Sequence, residues 1–229
     1  MKTDKEIHKI FTACPEYVFL LSGIDASGDG TYESVTVKAL QREMDGFYRP
    51  NDPSEALVVV EVQFQKDEHI YTRLVTEMAM IQDDNQLADI TGVIFFYKKQ
   101  LDPRTKPWVD IVETVYLDQA ITELQKQQPN HPLGIVFRPL LDTDEQELEA
   151  NAKRYYSELR QIDLPRHQKN SLDDVFLHWL IERLGHLTQR QISMILDLPD
   201  IKDTTCGREI LEEGIERGEA RGKVIGETK

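Results

Sequence analysis

The feature that most constrains this chain is the run Leu57-Val58-Val59-Val60-Glu61-Val62-Gln63-Phe64-Gln65. It opens as an uninterrupted apolar strand and passes into strict alternation. Period 2 turns Glu61, Gln63 and Gln65 to one face and Val60, Val62 and Phe64 to the other. A short β-branched run of this kind needs neighbouring strands and a covered face, so the chain must build a sheet with helices against it. Upstream, Arg42-Glu43-Met44-Asp45-Gly46-Phe47 reads as another strand, and the Asn51-Asp52-Pro53 turn signal folds it back on Leu57 as a hairpin. Asp45 and Glu61 are then placed to reach one divalent cation.

The 229 residues, 40% of them hydrophobic, suffice for a buried core. Cys14 and Cys206 stand far apart without CxxC spacing, which argues against a disulfide framework or a cysteine zinc site and fits a reducing compartment. The start, Met1-Lys2-Thr3-Asp4-Lys5-Glu6, has no apolar leader, and no stretch approaches the ~20 apolar residues of a bilayer span. The expectation is a soluble, cytoplasmic protein with no membrane association.

A net charge of −14 argues against a protein that coats nucleic acid. The charge is uneven, however. Lys98-Lys99-Gln100-Leu101-Asp102-Pro103-Arg104-Thr105-Lys106 is the most basic stretch and offers a local phosphate-facing surface or a solvated loop. Asp142 to Glu149 is the most acidic.

An amphipathic helix carries Ile7, Ile10, Phe11, Tyr17, Val18 and Leu21, broken at Pro15 and closed near Gly23. After the turn Ser27-Gly28-Asp29-Gly30 come strands over Tyr32 to Leu40, the Asp45 segment, and Leu57 to Gln65. Helical spacing returns over His69 to Gln82, with Ile70, Leu74, Met78 and Ile81 as the buried stripe. Val93 to Tyr97 and Val112 to Leu117 read as inner strands. Beyond Phe137 the pattern is helical over Asp144 to Gln161, Ser171 to Gly185 and Thr188 to Asp197.

Glu61-Val62-Gln63-Phe64-Gln65-Lys66-Asp67, followed by Tyr71-Thr72-Arg73-Leu74 and preceded by Asp45-Gly46, resembles the signature of the Rpn-type proteins, recombination-promoting nucleases and transposase-like proteins of the PD-(D/E)XK nuclease superfamily. The stretches Ser193 to Thr205 and Glu213 to Gly222 resemble the end of an uncharacterised branch of that family. The resemblance implies an α/β, restriction-endonuclease-like core of order αβββαβ, a central mixed sheet flanked by helices, over residues 1–140. A helical C-terminal extension fills 141–229.

The same resemblance implies metal-dependent hydrolysis of DNA phosphodiester bonds, in recombination or mobile-element biology. Asp45, Glu61 and the backbone carbonyl of Val62 would be hard oxygen ligands for Mg²⁺ or Mn²⁺, which would orient a water and offset charge on the phosphate. Asp45, Glu61 and Gln63 would be the catalytic set. Gln63 departs from the lysine usual in the superfamily, and a neutral amide only donates or accepts hydrogen bonds. Arg73, on the next helix, is the better source of positive charge; otherwise it would pair with Glu77 one turn on. Lys66 is turned to the opposite face. Gln65, Tyr71 and Glu16 are accessory candidates, Glu16 through a water-mediated metal contact; a half-buried packing role for Tyr71 and an exposed helix position for Glu16 are the alternatives.

The six histidines form no HExxH pattern, Gly23 to Gly30 lacks a phosphate-binding loop, and Ser22-Gly23 lacks a nucleophile elbow. Gly214, Gly218, Gly222 and Gly226 recur at i+4 in a charged tail from about 207, which suits helix pairing in a homo-oligomer or remains frayed. The pair 171–185 and 188–197 has helix-turn-helix-like lengths, but Arg190 is the one basic residue over 189–196, so packing in a bundle is expected. The alternative to a nuclease is a binding or regulatory protein that keeps the fold and associates through its tail.

Overall fold

The computed structural model describes residues 3–24, 30–33, 36–37, 42–43, 46–52, 54–85 and 89–198. Asp45, residues 25–29 and residues 199–229 lie outside the described residues. The chain divides into two compact units, Met1–Leu133 and Gly134–Lys229.

The first unit begins with α1 (Thr3–Ala13) and α2 (Glu16–Ser22), separated at Pro15 as the sequence predicts. Gly23 ends α2 at φ 73°, the left-handed conformation that suits glycine. There follow β1 (Gly30–Glu33), β2 (Thr36–Val37), β3 (Arg42–Glu43), β4 (Gly46–Pro50), β5 (Leu57–Gln63), α3 (Ile70–Asp84), β6 (Ile90–Phe96), β7 (Glu113–Tyr116) and α4 (Leu117–Gln127). The described strands form a five-stranded sheet of order β1-β4-β5-β6-β7, with β2 and β3 as a separate two-stranded ribbon. Pairing is antiparallel from β1 through β5 and parallel from β5 through β7. This is an α/β fold with a mixed sheet and the expected αβββαβ order, followed by β7 and α4.

Both sheet faces are covered, which is why β5 reads as a nearly continuous apolar run. Leu57, Val59, Ile94 and Phe96 face α3, packed with Ile70, Leu74, Met78 and Ile81. The other face meets α1, where Phe11 lies against Tyr32 and Phe95. On that face Tyr32 and Tyr48 pair across β1 and β4, and each ring lies over a glycine. A Cβ on Gly46 would overlap the Tyr32 ring, and one on Gly30 would overlap Tyr48. Gly46 is therefore a strand residue bare enough for a tyrosine to lie across it.

The expected strand from Tyr32 to Leu40 is instead β1, ending at Glu33, and β2 in the separate ribbon, and the Asp45 segment holds both β3 and β4. Other boundaries differ for local reasons. Leu117 is the first residue of α4 rather than the end of a strand. The sequence reading leaves the rest of α4 unassigned because its buried stripe is only Leu117, Ile121 and Leu124 on an otherwise polar helix. The Leu57 strand stops at Gln63, so Phe64, Gln65 and Lys66 lie past its end.

The second unit is helical. After α5 (Pro132–Val136), at the boundary, come α6 (Arg138–Leu141), α7 (Glu145–Gln161), α8 (Arg166–Arg183) and α9 (Gln189–Leu196). The acidic stretch is the start of α7: Asp144 accepts from the Gln146 and Glu147 N–H groups, and Glu145 and Glu147 sit at the positive end of the helix dipole. Helix α8 starts five residues before the expected Ser171 because its first turn, Arg166 to Asn170, is polar and hides the periodicity. Its Trp179 packs edge-on against Phe137. Ile192 and Leu196 of α9 are buried, and α9 contacts α7, as expected of a bundle member. Among the described residues, no helix is long and apolar enough to cross a membrane.

Candidate functional site

Strand alternation places Glu61 on the α3 face of β5, beyond Val59 and level with Ile94 of β6. Glu61 is only 4% exposed. One turn into α3, Arg73 reaches back so that its Nε lies 3.3 Å from Glu61 Oε1 and its Nη1 lies 2.5 Å from Asp67 Oδ2. Asp67 also accepts the His69 N–H at 2.8 Å, which ties the loop between β5 and α3 to the helix start. Burial opposes the Arg73 charge, but the two carboxylates outweigh it and hold its pKa above the ordinary guanidinium value. Burial likewise opposes ionisation of Asp67, and the His69 N–H and Arg73 reverse the balance, so its pKa is lowered.

Arg73 thus pairs with Glu61 and Asp67; the sequence alternative of an i+4 bridge to Glu77 is not the arrangement found. The Gln63 side chain donates to the Gln65 carbonyl at 2.5 Å, closing the turn after β5. Gln65 itself is exposed, and Lys66 pairs with Glu68 at 2.7 Å. The Gln63 carbonyl accepts the Tyr97 N–H on the β6 side, so alternation directs the Val62 carbonyl to the β4 side.

Tyr71 belongs to a second cluster at the same end of the parallel strands. Its hydroxyl donates to Asp102 Oδ1 at 2.8 Å and lies 3.3 Å from Thr114 Oγ1. Tyr116 donates to Asp102 Oδ2 at 2.8 Å, and the Arg104 N–H also donates to Oδ1. Burial, followed by the Asp102 carboxylate, raises the pKa of Tyr116, and burial most of all raises that of Tyr71, so both stay neutral donors. The sequence reading does not single out Asp102, Thr114, Tyr116 or the role of Asp67. The one local signal is Asp102-Pro103 inside a basic stretch, a turn former where cations dominate.

Glu16 is exposed on α2. Phe19 of that helix packs on Tyr48, on the sheet face opposite Glu61. Asp45 lies outside the described residues, but Gly46, its covalent neighbour, is paired with Val60, the residue before Glu61.

Among the described residues, no three His, Cys, Asp or Glu side chains gather as a metal-holding group. The oxygens of Glu61 and Val62 are nevertheless the hard donors that Mg²⁺ or Mn²⁺ takes. A cation there would share Glu61 with the Arg73 guanidinium and would need a second carboxylate, the part expected of Asp45.

The basic stretch begins where this cluster ends. Phe96 is level with Gln63, and Tyr97 to Lys106 leave the sheet beside it. Lys98, Lys99, Arg104 and Lys106 are exposed, with Lys98 Nζ 4.9 Å above the Tyr97 ring. The arrangement joins a buried carboxylate, a guanidinium and a cationic rim at one sheet edge. No curated protein and no solved structure matches the chain. A family model described as "Protein of unknown function (DUF2887)" matches residues 3–196, nearly all of the described structure, and the chain belongs to that DUF2887 family.

Proposed function

We propose that the protein is a metal-dependent nuclease that hydrolyses DNA phosphodiester bonds at the β5 edge, serving recombination or mobile elements as the Rpn-like resemblance implies. The observation that carries this reading is the Arg73 guanidinium on buried Glu61, beside the cationic segment that leaves β6 next to Gln63. Glu61, the Val62 carbonyl and Asp45 would hold Mg²⁺ or Mn²⁺, which when bound would activate water and offset phosphate charge. Arg73 answers the missing lysine: it brings a fixed positive charge to the place where the superfamily pattern has one, from the helix instead of the strand. It orients the Glu61 carboxylate, and in the transition state it stabilises charge on a nonbridging phosphate oxygen. Gln63, bonded to Gln65, shapes the turn and offers its amide to substrate only if that bond opens.

A second reading, a binding or regulatory protein that keeps the fold and associates through its C-terminal helices, is favoured by one observation. Arg73 already neutralises Glu61, and Gln63 is engaged with Gln65, so the edge is satisfied without a substrate. Cleavage of supercoiled plasmid with Mg²⁺ or Mn²⁺ separates the two. Nicking by the wild type that Asp45→Ala, Glu61→Ala and Arg73→Ala each abolish supports the nuclease. Equal activity in all four preparations, or none under varied metals, sinks it in favour of the binding protein.

A further inference from the structure

The proposed hydrolytic residues do not explain why the segment after β6 is held down so firmly while Lys98, Lys99 and Arg104 on it stay exposed. The Asp102 side chain is 0% exposed although it sits within Lys98 to Lys106. A carboxylate withdrawn from water in this way needs charge-assisted donors, and it has the hydroxyls of Tyr71 and Tyr116 and the N–H of Arg104, each at 2.8 Å, with the exposed Arg104 guanidinium 3.9 Å from Oδ2. These bonds pin the middle of the segment to α3 and β7. Lys98, Lys99 and Arg104 project from the pinned segment, Lys98 over Tyr97 and Lys99 with its Nζ 5.9 Å from the centre of the Tyr116 ring. Phe64, just past β5, lies nearly parallel to Tyr97, with ring centres 5.1 Å apart and 14° between planes. Both of these rings are half-buried.

We infer that this strap is a binding surface for single-stranded nucleic acid. Lys98, Lys99 and Arg104 take successive phosphates, and the Phe64 and Tyr97 rings offer a stacking edge to an unpaired base. Asp102 is a positioning residue that acts through Tyr71 and Tyr116. Aromatic faces beside a short run of cations suit a strand whose bases are free to stack. A duplex keeps its bases inside and sets two rows of phosphates against a chain whose net charge is −14. The inference rests on the nuclease reading only for where a scissile phosphate would lie; binding needs no turnover.

The test is fluorescence anisotropy with a labelled oligothymidylate and a duplex of equal length. It uses the full-length wild-type chain in EDTA, which withholds divalent metal, over a range of salt. The single strand is expected to bind more tightly than the duplex. Tyr97→Ala should weaken it roughly 5- to 100-fold. Replacing Lys98, Lys99 and Arg104 together by Ala should lower the slope of log affinity against log salt by about 2, at about 0.7 per lost contact. Asp102→Asn should reduce the preference for single strand over duplex, which general loss of stability would not do; where that variant folds poorly, Tyr116→Phe makes the same test. Equal affinity for the two probes, or no response to Tyr97→Ala and the triple replacement, overturns the surface even if the wild type cleaves plasmid. Binding as expected from a protein that never cleaves overturns the nuclease and leaves the surface standing.

Discussion

Arg73 Nε stands 3.3 Å from Glu61 Oε1, so a cation from the first turns of α3 neutralises a carboxylate that β5 buries at 4% exposure. Neither position is comfortable alone. The strand places Glu61 level with Ile94, and the ion pair with Arg73 offsets part of the cost of that burial.

Removing one partner should therefore cost more than removing both. Arg73→Ala is expected to destabilise the first unit by about 2–4 kcal/mol, because it withdraws the guanidinium from a buried carboxylate. The double variant Glu61→Gln/Arg73→Ala should recover part of that loss. Urea unfolding of the wild type, Glu61→Gln, Arg73→Ala and the double variant checks it; additive effects would mean that the pair is not coupled.

The same pair predicts an unusual metal response. If Glu61 ligates a divalent cation, Arg73 competes for it, so Arg73→Gln should bind Mn²⁺ more tightly than the wild type while Glu61→Ala binds it weakly or not at all. Isothermal titration gives both numbers. Tighter binding combined with lost plasmid cleavage in Arg73→Gln would separate holding the metal from stabilising the phosphate. Unchanged Mn²⁺ affinity in Glu61→Ala would remove Glu61 from the ligand set.

Gly46 should tolerate no side chain. A methyl group there overlaps the Tyr32 ring, whose hydroxyl lies 2.5 Å from His8 Nδ1, so the ring has little room to retreat. Gly46→Ala is expected to cost about 1–3 kcal/mol through overpacking. In the background of Tyr32→Ala the same change should cost much less, a coupling that thermal or urea unfolding reads directly.

Stability should fall on the alkaline side. Burial, helped by the Glu16 charge, pushes the Cys14 thiol from its ordinary 9.0 up to about 12. Burial also raises Tyr17 and Tyr71. A raised native pKa means that the unfolded chain loses its proton first. The Cys14 contribution is fully present below pH 9 and is lost between about 9 and 12, and that of the tyrosines starts to be lost only above pH 10, at up to 1.36 kcal/mol per pH unit for each group. Urea midpoints from pH 8 to 11 should decline, and Cys14→Ala should flatten the part of the decline that begins near pH 9. A flat profile would contradict the buried thiol.

The α9 start is a further local test. Thr188 accepts the Gln191 N–H while the Gln191 side chain accepts the Thr188 N–H, a reciprocal capping box. Thr188→Ala should cost about 1 kcal/mol and be felt first as fraying of α9 in hydrogen exchange.

What could be read from the residues alone was whatever depends on near neighbours. The break at Pro15, the left-handed stop at Gly23, the stripe Ile70, Leu74, Met78 and Ile81, and the hairpin that pairs Gly46 with Val60 all follow from φ preferences and from periods of 2 and 3.6. Those periods also place Glu61 with its side chain on the face that Val59 shares. Helix α4 and the first turn of α8 escaped the same reading because polar residues dilute their stripes.

Which groups meet was decided by tertiary structure. Arg73 had one carboxylate in reach along its own helix, Glu77, and another twelve residues back at Glu61; the loop closed by Asp67 and the packing of α3 on β5 chose the latter. Asp102 meets Tyr71 and Tyr116 across separations of 31 and 14 residues. No local pattern encodes such contacts, because they exist only when parallel strands β6 and β7 bring their C-terminal ends beside α3. The sequence by itself determined the order of the main sheet strands and of the helices with a clear apolar stripe, since those follow from local sterics and hydrophobic period. Only the assembled sheet decided that a buried glutamate faces an arginine and that a basic strap is pinned beside it.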